Sequence, residues 1–246
     1  MAFRKTYSFQ IQPQFVDFQY KATLASLGDI LLTAVGFNAD DNGFGLRRLN
    51  EMNASWVLTR FAVEMITFPE QYEEIQVETW IEEVGRATTT RNFCIRNSKN
   101  EIIGNACSNW VMLDLKTRRP KDLLSLEGIH EFESHEHGLI DKPMKLDEVE
   151  GEEYDAFKVK YSDIDINGHV NSVRYIQWIS DCFSLNCYRK CNVKRLDINY
   201  MNEMFYDDFV EIIRNEIVPG DFRFEIRKDD KVACRARLTF RVKIEN

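Results

Sequence analysis

The sequence predicts an α+β protein in which one plan is written twice: a strand, a long helix and a run of strands, then the same order again. Three observations carry that expectation. Apolar residues recur at helical spacing in one stretch of each half, residues 20–35 and 170–185. Alternating apolar and polar residues follow each of those stretches, broken by Gly, Asn or charged turns. Short segments of the two halves also align in the same order when one is slid over the other, the mark of a repeated unit.

In the first half, Leu24, Leu27, Ile30, Leu31, Ala34 and Val35 lie in phase and form a wide stripe, which predicts a buried helix. Ile75-Gln-Val-Glu-Thr-Trp80, Arg91-Asn-Phe-Cys-Ile-Arg96 and Ser108-Asn-Trp-Val-Met-Leu113 alternate with period two and predict strands. Residues 117–153 are acid-rich, hold three of the four histidines (His130, His135, His137) and show no period, so they read as a linker with one short helix. The second half opens with a strand near 157–161 and a helix near 170–185, where Val173, Ile176, Ile179 and Phe183 are in phase. Strands follow around 195–200, 209–217, 222–227 and 234–244. The expected division is a first unit over 1–117, a linker over 118–153 and a second unit over 154–246.

Composition narrows the function. With 44% hydrophobic and 29% charged residues, the 246-residue chain has the balance of a globular protein. Its start, Met1-Ala-Phe-Arg-Lys-Thr-Tyr-Ser-Phe9, lacks the apolar core and cleavage site of a secretory signal, and no apolar run reaches spanning length. A cytoplasmic chain without membrane insertion is expected. Cys94, Cys107, Cys182, Cys187, Cys191 and Cys234 form no CxxC pair, which argues for free thiols rather than a disulfide framework or a zinc ribbon. Cys187 with Cys191, and His135 with His137, each lack further ligands at metal spacing, so no metal is expected. A net charge of −8 disfavours nucleic acid, and an acidic protein partner would need a local basic patch.

Comparing the halves separates shared scaffold from additions. Phe15-Val-Asp-Phe-Gln-Tyr20 aligns with Tyr161-Ser-Asp-Ile-Asp-Ile166, Leu24 and Leu27 with Val170 and Val173, and Tyr72-Glu-Glu-Ile75 with Tyr206-Asp-Asp-Phe209. In that alignment Asp163 matches Asp17 and reads as scaffold, while Asp165, Asn167 and His169 stand where the first half has Gln19, Lys21 and Thr23. Alternate residues of an extended loop point the same way, so a carboxylate, an amide and an imidazole converge just before a helix. The first N–H groups of a helix lack internal acceptors and suit a carbonyl oxygen that becomes an oxyanion. Gly168 lets the backbone approach a ligand, and Val170 begins the helix beside it. The bland alternative is an Asx turn that only caps the helix. Glu203, in Tyr200-Met-Asn-Glu-Met204 at a strand end, stands opposite Pro69 and is the further addition; a solvated strand-end glutamate is its alternative.

Together these segments resemble the acyl-ACP thioesterases of plants and bacteria. The resemblance rests on Asp41-Asn-Gly-Phe-Gly45, Trp56-Val-Leu-Thr-Arg60, the strands at 75–80 and 108–114, and Thr117-Arg-Arg119 in the first half. In the second half it rests on Asp165-Ile-Asn-Gly-His-Val-Asn-Ser-Val-Arg-Tyr-Ile-Gln-Trp178 and Leu196-Asp-Ile-Asn-Tyr-Met-Asn-Glu203. It implies a double hotdog, two tandem units each with a long helix wrapped by an antiparallel sheet. It further implies hydrolysis of fatty acyl-ACP by water without a cofactor, and a catalytic set falling on Asp165, Asn167, His169 and Glu203. Many plant members carry a cysteine after that glutamate; here the residue is Met204, which has no proton to lose.

On this reading Glu203 serves as general base with His169, or alternatively as a nucleophile. Asn167 positions water or thioester, and Asp165 orients neighbouring donors. Leu24, Leu27, Leu31 and Val35, together with Gly168 and Val170, are the expected substrate contacts, ordinary core packing being the alternative for the helix residues. Acyl carrier protein is the expected partner. Arg189, Lys190, Lys194 and Arg195 are the expected docking residues, ahead of Arg118, Arg119 and Lys121. An acyl-CoA hydrolase, a hydratase or dehydratase, and a non-catalytic acyl-thioester binder remain as rivals, and monomer or homodimer stays open.

Overall fold

The computed structural model describes residues 4–243, which divide into two compact units, Met1–Pro143 and Met144–Asn246. In the first unit, β1 (Lys5–Gln10) leads through α1 (Leu24–Asp41) and the short α2 (Leu46–Glu51) to β2 (Ala54–Met65), β3 (Glu74–Val84), β4 (Thr89–Asn97) and β5 (Ile102–Asp114). The strands form an antiparallel sheet in the order β1-β3-β4-β5-β2. Thr23 starts α1 by accepting a hydrogen bond from Ser26 N, and Gly43, at φ +80°, turns the chain away past its end. The apolar stripe faces inward: Leu27, Leu31 and Ala34 are fully buried, Leu24 and Ile30 nearly so. Each buried leucine contributes about 1.5–3 kcal/mol. Asn38, on the same side of α1, accepts a 2.7 Å hydrogen bond from the buried Arg91 guanidinium, whose pKa burial lowers to about 10.

The acid-rich stretch after β5 is less empty than its composition suggests. Two 3-10 turns, Leu123–Ser125 and Ile129–Phe132, stand where one short helix is expected. Leu123, Leu126 and Ile129 recur every third residue and insert into a cluster with Phe44, Leu49 and Met112, which draws 120–132 onto the first unit. Beyond them Glu133 bridges Ile81 of β3. From Met144 onward the chain lies on the second unit: Met144 N donates to Asp197, Leu146 N donates to Asn199 Oδ1, and Asn199 Nδ2 donates to Met144 O.

The second unit comprises β6 (Glu152–Lys158), α3 (Ser172–Asp181), α4 (Leu185–Lys190), β7 (Cys191–Tyr200), β8 (Phe209–Val218), β9 (Asp221–Lys228) and β10 (Lys231–Val242). Its sheet order, β6-β8-β9-β10-β7, repeats that of the first unit strand for strand. Each unit is a hotdog. The helix expected over 170–185 is broken after Asp181, because Phe183 leaves the helical path to pack between Phe222 and Phe240, with ring centroids at 4.8 and 4.7 Å. Ser184 then caps α4 by accepting from Cys187 N. β7 follows directly and starts at Cys191, ahead of the expected 195.

Candidate active site

The site is built on the loop that enters α3. Ile164 and Val170 form an antiparallel bridge, Asp165 N donates to His169 O at 2.8 Å, and Gly168 N donates to Asp165 O at 3.1 Å. Gly168 sits at φ +80°, which glycine adopts without the Cβ penalty. Inside the loop, Asp165 Oδ1 accepts from Asn167 N at 2.8 Å and His169 N at 3.3 Å. Val170 N donates to Met204 O at 2.8 Å and ties the loop to the segment after β7. That tie brings the imidazole to the carboxylate: His169 Nδ1 lies 3.4 Å from Glu203 Oε1. The His169 ring packs at right angles to Phe205, with ring centroids 5.1 Å apart. The His169 and Glu203 side chains are both partly accessible, as a reacting pair requires.

Asp165, Asn167 and His169 thus share one loop; the Asn167 side chain lies 3.4 Å from Asp165, and the His169 side chain meets Glu203. Val170 is buried under that loop and Gly168 is exposed. Leu24 and Leu31 are buried, Leu27 is fully enclosed and Val35 is half-buried, all within the first unit. Met204 is fully buried, while its backbone holds the loop. Tyr175 is buried beneath the pair, and desolvation, with the Glu203 charge adding to it, pushes its phenol pKa upward.

The helix start offers less than four open donors. Asn171 N donates to Asp163 O, Val173 N to the Asn171 side chain and Arg174 N to Asn171 O. Among the described residues, Ser172 N–H is the amide between Val170 and Arg174 without an acceptor. Sequence alone does not single it out, since which amides the cap consumes depends on the Asn171 rotamer.

The structure also corrects the register of the duplication. Asp17 Oδ1 accepts from Gln19 N at 2.7 Å and Lys21 N at 3.2 Å, Asp17 N donates to Lys21 O, and Val16 bridges Ala22. Asp165, not Asp163, is therefore the counterpart of Asp17. Asn167 replaces Gln19, Gly168 replaces Tyr20 and His169 replaces Lys21. Ala22 N donates to Pro69 O as Val170 N does to Met204 O, so Glu203 stands opposite Phe68 rather than Pro69. Asp163 is the unmatched acid; buried, it accepts from Lys160 N and lies 3.8 Å from Arg174 Nε. The alternation of apolar residues slides by two positions at no cost, whereas the turn bonds do not. Asp17-x-Gln19 against Asp165-x-Asn167 is the signal that gives the true register.

Open clefts flank the loop. One, of about 560 Å³, is lined by Glu203, Phe205, Lys228, Asp229, Asp230 and Lys231; another, of about 760 Å³, by Tyr161, Asp165, Ile166 and Tyr206. Of the basic residues expected to dock a partner, Arg195 is committed to Asp197 through two contacts of 2.7 and 2.9 Å, and Lys121 donates to Met52 O. Arg189, Lys190 and Lys194 are exposed, but they lie at the Cys191 end of β7, and Glu203 follows its Tyr200 end. Along the strand Tyr200 lies about 20 Å from Lys194 and about 30 Å from Cys191. The linker histidines rest on carboxylates: His130 and His135 on Glu133, His137 on Glu82. No helix among the described residues is long and apolar enough to cross a membrane.

Known proteins match along the whole of this architecture. Residues 2–126 match the acyl-ACP thioesterase N-terminal domain and residues 146–242 its C-terminal domain. The crystal structure of an acyl-ACP thioesterase from Bacteroides thetaiotaomicron superposes with a TM-score of 0.92 at 38% identity, over 97% of this chain and 98% of that one. The 12:0-ACP thioesterase from Umbellularia californica shares the fold, with a TM-score of 0.83 at 18% identity over 99% of each chain. Among curated relatives, an oleoyl-acyl carrier protein thioesterase of Arabidopsis thaliana is 26% identical, covering 76% of this chain and 54% of its own length. A palmitoyl-acyl carrier protein thioesterase of Gossypium hirsutum is 29% identical, over 82% and 54%. The chain spans about half the length of these plant proteins. Both of its hotdog units fall within matched family domains, and the loop carrying Asn167 and His169, with Glu203 against His169, lies in the second, so the chain belongs to the acyl-ACP thioesterase family.

Proposed function

We propose that the chain hydrolyses fatty acyl-ACP thioesters to free fatty acid and ACP, at the loop cluster of the second unit. The observation that carries this reading is the 3.4 Å approach of His169 Nδ1 to Glu203 Oε1 at the loop that enters α3. A pantetheine thiol leaves with a pKa near about 8.5 and needs little acid help, so the demands are an activated water and a held oxyanion. Glu203 takes the proton from water, with His169 orienting that carboxylate; the Ser172 N–H receives the thioester oxygen as it gains charge. Asn167 positions water or thioester from the exposed tip of the loop.

Leu24, Leu27, Leu31 and Val35 receive the acyl chain along α1. The acidic carrier docks through the exposed Arg189, Lys190 and Lys194 at the α4 end of β7, since the cleft beside Glu203 carries Asp229 and Asp230 along with Lys231. The deciding experiment is release of free fatty acid and free thiol from a panel of saturated acyl-ACPs. Failure to release either from any member would end this reading. Single turnover in ¹⁸O-water then separates base from nucleophile: label in the Glu203 carboxylate would mean attack by Glu203 itself.

A further inference from the structure

We propose that Asp165 is a positioning residue rather than a catalytic one: its carboxylate builds the loop that aims Asn167 and His169, and its charge takes no part in the chemistry. This rests on the thioesterase reading of the site. The support is a comparison the chain makes with itself. In the first unit Asp17 forms the same turn, with Oδ1 bonds of 2.7 and 3.2 Å against 2.8 and 3.3 Å at Asp165. The closing backbone bonds also agree: 2.8 Å from Asp17 N and from Asp165 N, 3.0 Å from Tyr20 N and 3.1 Å from Gly168 N. Yet around Asp17 the reacting pair is absent. The position of His169 is held by Lys21, ion-paired to Glu70 at 2.7 Å, and that of Glu203 by Phe68.

An aspartate that makes the same bonds where no imidazole–carboxylate pair exists is explained by the turn alone. At Asp165 the described contacts of the carboxylate are likewise with amides: the two backbone N–H groups and, at 3.4 Å, Asn167 Nδ2. The His169 ring turns Nδ1 to Glu203 instead. Both backbone bonds end on one oxygen, so a neutral amide oxygen at position 165 supplies the acceptor equally well.

The test compares Asp165→Asn and Asp165→Ala with wild type, and Asp17→Ala as the scaffold control. Asp165→Ala should lower kcat about 10²-fold, the cost of misplacing reactive groups by about an ångström. Asp165→Asn should restore turnover to within about tenfold of wild type, with the pH dependence of kcat/KM unchanged, the remainder reflecting a turned Asn167 amide. Asp17→Ala should lower Tm by as much as Asp165→Ala does. Amide hydrogen exchange at Asn167 and His169 should accelerate in Asp165→Ala and stay protected in Asp165→Asn. Asp165→Asn as inactive as Asp165→Ala, or lacking a limb of the pH profile, would overturn the proposal. Unaltered exchange in Asp165→Ala would overturn it too, and that readout holds even were the wild-type chain to hydrolyse no thioester, the outcome that would sink the reading beneath it.

Discussion

Replacing Glu203 by alanine removes the carboxylate 3.4 Å from His169 Nδ1 and leaves in place the 2.8 Å bond from Val170 N to Met204 O that ties down the loop. General-base assistance is worth about 10²–10⁴-fold, or about 2.7–5.5 kcal/mol of barrier. The fold should lose far less, since a partly exposed side chain outside the core changes stability by only about 0.5 kcal/mol when removed. Purified wild type and Glu203→Ala, assayed with acyl-ACP at several concentrations alongside a thermal melt, should show kcat reduced at least about 10²-fold, KM within a few-fold, and Tm nearly the same. A folded Glu203→Ala enzyme with near-normal turnover would refute the assignment. The neighbouring Met204→Cys provides the contrast. Met204 is fully buried, so the shorter side chain costs about 2 kcal/mol in packing and gains no rate. An acyl group trapped on that thiol by acid quench would instead show a cysteine mechanism available to this site.

Four further outcomes follow from the same geometry. Ser172→Pro deletes the open N–H at the first helical position, where proline is tolerated and where Asn171, at ψ 133°, already has the backbone a following proline demands; kcat should fall about 10²–10³-fold with α3 intact by circular dichroism, and unchanged kcat would remove this oxyanion donor. Leu27→Trp overfills a fully enclosed position, costs about 1–3 kcal/mol and should shift preference toward shorter acyl chains, which product chromatography reads; an unaltered profile in a folded variant excludes Leu27 from the acyl path. Lys190→Glu with Lys194→Glu should raise KM for acyl-ACP but not for a small acyl thioester, whereas Lys231→Glu, in a cleft that already holds Asp229 and Asp230, should change neither; the reverse pattern would place the carrier at the β9–β10 turn. Burial would raise the Glu82 pKa, but hydrogen bonds from Asn92, His137 and Lys142 outweigh it and hold the carboxyl at about 2, below its ordinary 4.5. Its contribution is therefore complete above pH about 4.5 and is lost as pH falls toward 2. Tm should decline by a few degrees over that window and decline less in Glu82→Gln; parallel curves would show that Glu82 is not the group responsible.

The apolar stripe of α1 and the alternation of the strands are local regularities, and they alone determined two units of one helix and one sheet. The approach of His169 to Glu203 was legible as well, because residues present in one copy and absent from the other stand out in a duplicated chain. The register of that duplication was not. A two-residue slip preserves the apolar pattern and moves the scaffold role from Asp165 to Asp163, and only the hydrogen bonds of the Asp17 and Asp165 turns decide between them. The break between α3 and α4 was equally hidden, since Phe183 is in helical phase and leaves the helix only for aromatic partners on β9 and β10 that lie far along the chain. The open amide at Ser172 belongs to the same class: the sequence determined that a helix begins there, but which of its first N–H groups stays free depends on acceptors from Asp163, Asn171 and Met204 that tertiary packing brings into reach.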